Sequence, residues 1–131
     1  MCRKLTLPAK LSWFVMEVPS YLVSLAAILH LVHTGVYGKI LLLLPFNLHY
    51  LNRSVLYPLS IKNGRPFPVI ASSSAFLFTL FNGVLQSHSI ISSSNTETSL
   101  NIINIVGIII FITGMCINIQ VSLFFITLSE K

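Results

Sequence analysis

The sequence predicts an all-α integral membrane protein, a helical bundle with about four transmembrane helices, and three observations carry that prediction. Of its 131 residues, 54% are hydrophobic and only 8% are charged, where a soluble domain carries roughly 25% charged residues. The apolar residues gather into four runs of about 20 or more, the length that crosses a hydrocarbon core of about 30 Å. Each run is closed by polar or turn-forming residues. In water, a chain this short cannot hide so much apolar surface behind so few polar side chains. A bilayer removes the difficulty.

The first run extends from about Trp13 to Val32, with Pro19 near its start, and stops before His33-Thr34-Gly35. The second, about Val36 to Ile61, contains Pro45 and Pro58, which membrane helices tolerate where neighbouring helices satisfy the freed carbonyls. The third covers about Pro68 to Ile91 and the fourth about Leu100 to Leu128. Lys62-Asn63-Gly64-Arg65-Pro66 forms a turn between the second and third, and Ser92 to Ser99 a polar loop carrying Glu97. Neither an internal repeat nor a second domain is visible, so residues 1–131 read as one membrane domain. Arg3, Lys4, Lys10, Lys62 and Arg65 fall on one side of the bilayer, and Lys39, set against Glu97, on the other. The positive-inside rule then puts the N-terminus in the cytosol and, after four crossings, the C-terminus as well.

The formal net charge is +5, but the basic residues are scattered between apolar runs and form no stripe for nucleic acid. Cys2 and Cys116 lie at opposite ends of the chain, and His30, His33, His49 and His88 lack the clustering that zinc needs. No metal site is expected. Met1 to Lys10 is basic and polar, and the run behind it contains Glu17 and Pro19, which argues for a retained helix over a cleaved signal.

Charged groups inside a membrane span cost a few kcal/mol each and call for a partner or a task. In HYLNRSVLYPL, an α-helix places His49, Tyr50, Arg53 and Tyr57 on one broad face. Arg53 suits either a helix-packing ion pair or a pocket contact. Glu17, in WFVMEVPS, suits either an interfacial residue or a carboxyl group in an apolar cavity, protonated and able to donate to a ketone. In FNGVLQ, Asn82 and Gln86 are one turn apart and Gly83 permits close approach, as expected of a pocket or of ordinary packing in lipid. Asn104, Asn118 and Gln120 are amides of the fourth run, and Gly114 stands one turn before Asn118. Asn52-Arg53-Ser54 matches a glycosylation acceptor but falls inside a helix. Glu17, Tyr50 and Arg53 are expected to face one shared cavity.

Five segments in order, WFVMEVPS at 13–20, LHYLNRSVLYPL at 48–59, NGRPFPV at 63–69, FNGVLQ at 81–86 and GMCINI at 114–119, resemble the steroid 5α-reductase family. The resemblance implies a seven-helix enzyme of the endoplasmic reticulum that uses NADPH to reduce the Δ4 double bond of a 3-oxo steroid of the testosterone or progesterone type. It further implies that Glu17 and Tyr50 hold the steroid ketone. Trp13, Arg53, Tyr57, Asn82, Gln86 and Asn118 match positions lining the steroid or cofactor cavity, and Arg65 lies in a basic cytosolic turn near the cofactor. Gln120 and Ser122 depart from the histidine and aspartate usual in the family, which puts one cofactor contact in doubt. The match covers what resembles the second to fifth family helices. The sequence is therefore expected to be a partial or alternatively spliced product, or an incomplete gene model, inactive alone. The alternative is a non-catalytic membrane protein that retains a steroid-binding half.

Overall fold

The computed structural model describes residues 5–93 and 101–129. A short strand β1 (Thr6–Leu7) leads into α1 (Ala9–His33). A 3-10 turn at Tyr37–Lys39 opens α2 (Ile40–Leu51), which continues through a π-helical segment, Asn52–Leu56, into α3 (Tyr57–Ser60). A second strand, β2 (Phe67–Pro68), precedes α4 (Val69–Ser92), and α5 covers Ile102–Ser129. The all-α class and the breaks at Thr34-Gly35 and Lys62–Pro66 agree with expectation; Gly35 takes a φ of 74°, a left-handed turn that glycine enters without steric cost. Arg3, Lys4 and Glu97 of the charge argument, Cys2 and most of the Ser92–Ser99 loop lie outside the described residues.

Three details differ from the sequence reading. α1 begins at Ala9 rather than Trp13, because Pro8 stands at its N-cap and proline cannot continue a helix backwards. The second run is not one regular helix. Pro58 has no N–H for the Ser54 carbonyl, and just before it the Tyr57 N–H reaches back five residues to Asn52 O, which widens the turn. The strand pair was not anticipated: Thr6 lies opposite Pro68 and Leu7 opposite Phe67, antiparallel. Pro8 and Pro68 hold their preceding residues extended, and Val69 N–H donates to Leu5 O at 3.0 Å.

That strand pair starts α1 and α4 side by side, and the two run parallel. Thr79 Oγ1 donates to Met16 O and Ser20 Oγ to Thr79 O, both at 2.5 Å. α2 runs antiparallel to both, joined to α1 where Asn47 Nδ2 donates to Ser24 Oγ at 2.9 Å. The packing is inside-out relative to a water-soluble bundle. Ser12, Ser20, Ser24, Ser72, Thr79 and Ser87 are buried, while Phe14, Leu22, Phe78, Phe81 and Leu85 are exposed. Lipid explains the pattern, since it solvates large apolar side chains and leaves small residues to bring helix backbones together. Three helices, α1, α4 and residues Ile102–Leu128 of α5, are each long and apolar enough to cross a membrane. The chain is that of a multi-pass membrane protein.

Lys39, counted in the sequence as the basic residue of the opposite side, is 7% exposed and donates to Ile91 O at 2.7 Å and Ser93 O at 2.8 Å. It thereby caps the negative end of α4. Replacing it by methionine is expected to lower the stability of the detergent-solubilised chain by about 2 kcal/mol, the range of a charge-assisted hydrogen bond. Thermal unfolding checks this, and an unchanged midpoint would show the cap to be energetically idle.

Candidate functional site

The site residues expected from the sequence gather into two polar groups and two cavities. The first polar group is centred on Arg53, on the π segment. Its Nε and Nη2 both donate to Glu17 Oε1 of α1, at 3.0 and 2.5 Å, and its Nη1 donates to Asn118 Oδ1 of α5 at 3.0 Å. The Trp13 ring lies 5.1 Å from the guanidinium carbon, within cation–π range. A planar, permanently charged fork with five donors can serve a carboxylate, an amide and a ring face at once. Glu17 is 6% exposed and acts in this arrangement as an acceptor, so the geometry matches the ion-pair reading of Arg53 and not an interfacial Glu17.

The second polar group belongs to the larger cavity, about 610 Å³, between α2, α4 and α5. Tyr50, 9% exposed, contributes its hydroxyl, which accepts from Asn82 Nδ2 at 2.9 Å. Gln86, one turn beyond Asn82, also lines this space, with Asn104 of α5 among an otherwise mostly apolar wall. A space of this size with a few convergent polar groups is the common form of a small-molecule site. His49 is in the same wall, its Nδ1 buried without a partner. His49 is not among the site residues expected from the sequence; its place beside Tyr50 is the signal that points to it.

The smaller cavity, about 230 Å³, is lined by Trp13, Tyr57 and Arg65 together with Phe67 and Phe125. Trp13 meets Tyr57 edge-on at 5.0 Å and so joins this cavity to the Arg53 group. Arg65 is exposed. Of the three residues expected to face one shared cavity, Glu17 and Arg53 are direct partners and Tyr50 lines the larger cavity. Ser122, at a departure from the family pattern, donates to Asn118 O at 2.8 Å, while Gln120 is exposed. Among the described residues, no three His, Cys, Asp or Glu side chains group so as to hold a metal ion.

Comparison with known proteins bears on this arrangement. Residues 65–131 match the family model described as 3-oxo-5-alpha-steroid 4-dehydrogenase. The chain is 35% identical over 118 residues to rat 3-oxo-5-alpha-steroid 4-dehydrogenase 2 (Rattus norvegicus), a match covering 87% of this chain and 46% of that protein. It is 37% identical to the human protein of the same name (Homo sapiens) with the same coverage. With steroid 5-alpha-reductase DET2 of Arabidopsis thaliana it shares 32% identity over 125 residues, 87% of this chain and 47% of that protein. The chain thus spans about half the length of the curated relatives it matches. It belongs to the 3-oxo-5-alpha-steroid 4-dehydrogenase family.

Proposed function

We propose that this chain forms the steroid-recognising part of a membrane enzyme that reduces the Δ4 double bond of a 3-oxo steroid with NADPH. The observation that carries the reading is the cavity of about 610 Å³ with the Tyr50 hydroxyl in its wall. A largely apolar space with one buried phenol suits a rigid, mostly hydrocarbon ligand with a carbonyl at one end. A hydrogen bond to the 3-oxo oxygen draws electron density from the conjugated double bond and makes its β-carbon electrophilic. Tyr50 is the proposed donor. Glu17, whose Oε1 takes both Arg53 bonds, is the proposed second ketone contact.

The described residues do not fit the whole dinucleotide. Arg53 is engaged with Glu17 and Asn118, and the cavity beside Arg65 holds about 230 Å³, below the usual range of roughly 300–1,000 Å³ for cofactor sites. The same misfit favours a second reading, a membrane protein that binds steroid without turning it over, and we expect the chain alone to behave in that way. Endoplasmic-reticulum placement follows the family resemblance. A cytosolic start of α1 is supported by Lys10, Lys62 and Arg65 at that end of the bundle, while Lys39 at the other end is capped within the protein.

The test is equilibrium binding of testosterone to the purified chain in lipid nanodiscs. Tyr50→Phe is expected to weaken binding about tenfold, the value of one net hydrogen bond to a buried ligand. Equal affinity of the variant and the parent chain would remove Tyr50 from the site. Turnover of testosterone by the 131-residue chain with NADPH would reject the binding-only behaviour expected of the isolated chain.

A further inference from the structure

We propose that Asn82 is a positioning residue whose amide aims the Tyr50 hydroxyl proton at the ketone oxygen of a bound 3-oxo steroid. The proposal rests on reading the larger cavity as the steroid site. A phenol hydroxyl has one proton and two acceptor lone pairs, and conjugation with the ring keeps the O–H bond near the ring plane, in one of two orientations. Asn82 Nδ2 donates to this oxygen at 2.9 Å and so takes up one side. The proton is left to the other. Among the described residues no protein acceptor receives it.

The ring itself has little freedom to defeat this arrangement. Phe46 packs against it with centroids 4.7 Å apart and His49 at 5.4 Å, and Tyr50 is a member of the buried core cluster. Asn82 is equally anchored, since its neighbour Gly83 lies against the Ser20 backbone and Thr79, one turn before it, bonds across to α1. Two rigid helices thus hold a donor against an acceptor. Accepting a hydrogen bond also polarises the phenol and makes its own proton a better donor.

The discriminating measurement compares two probes bound to the chain in lipid nanodiscs: testosterone, and 17β-hydroxyandrost-4-ene, which lacks the 3-oxo group. The parent chain is expected to prefer testosterone about tenfold. In Asn82→Asp, a carboxylate accepts the Tyr50 proton and turns it away, so the ratio of the two affinities should fall close to unity. Asn82→Leu, similar in size but without the amide, should lose roughly a threefold share of the preference as the hydroxyl becomes free to rotate. Thermal unfolding of each solubilised variant reports its folding independently. Retention of the full preference in both variants overturns the proposal. Equal loss of both steroids in both variants also overturns it, because the Asn82–Tyr50 bond would then be purely structural. A parent chain with no preference between the probes rejects the steroid-site reading itself, a different failure from the loss of Asn82's role.

Discussion

Arg53→Met is expected to destabilise the solubilised bundle by about 3–5 kcal/mol, the cost of leaving one member of a buried ion pair without its partner. Glu17 is 6% exposed, and its Oε1 takes two of the Arg53 donors. With Arg53 removed, that carboxyl would face apolar side chains, and Asn118 on α5 would lose its bond to α2's continuation. The double variant Glu17→Gln with Arg53→Met should recover much of the loss, because an amide is far cheaper to bury than a charge. A double-mutant cycle measured by denaturant or thermal unfolding therefore predicts a coupling of about 2 kcal/mol or more. Simple additivity would mean that the two groups do not meet in the folded chain.

Gly83→Leu is the second large effect. A Cβ at Gly83 would stand 2.9 Å from Ser20 Cα and 3.5 Å from Ser20 O. Both are backbone atoms, so the strain cannot be relieved by moving a flexible side chain. α4 must shift away from α1, which breaks the Ser20–Thr79 and Thr79–Met16 hydrogen bonds. Overpacking costs about 1–3 kcal/mol, and the interhelical bonds add about 0.6 kcal/mol each in lipid. A total near 3 kcal/mol is expected for leucine, with alanine at the lower end of the overpacking range. Gly107→Ala and Gly114→Ala provide the contrast. An added Cβ meets nothing within 4 Å at either position, so both should be neutral or gain the helix propensity of alanine. Equal effects at all three sites would count against the α1–α4 seam.

These predictions separate residues that looked alike in the sequence. Asn82 and Gly83 are neighbours, and the choice between pocket and packing stood open for both. The structure divides them, with Gly83 turned to α1 and Asn82 to Tyr50. Gly114 and Asn118 divide as well: the glycine faces open space and the asparagine bonds Arg53. Each difference arises from where another helix passes, which spacing along one helix does not contain.

The sequence by itself determined the membrane class, the helical runs and the need for partners around Glu17 and Arg53. Hydrophobic run length and the cost of a charge in hydrocarbon are local properties, legible without coordinates. Tertiary structure alone decided which partners those were and how many spaces they line. Pro58 leaves the Ser54 carbonyl without its helical donor, and the turn before it is π-helical, an irregularity that helical periodicity does not announce. The strand pair at the start of α1 and α4 likewise joins segments about 60 residues apart in the chain. Periodicity reports a face within one helix; only the packed bundle determines what each face meets.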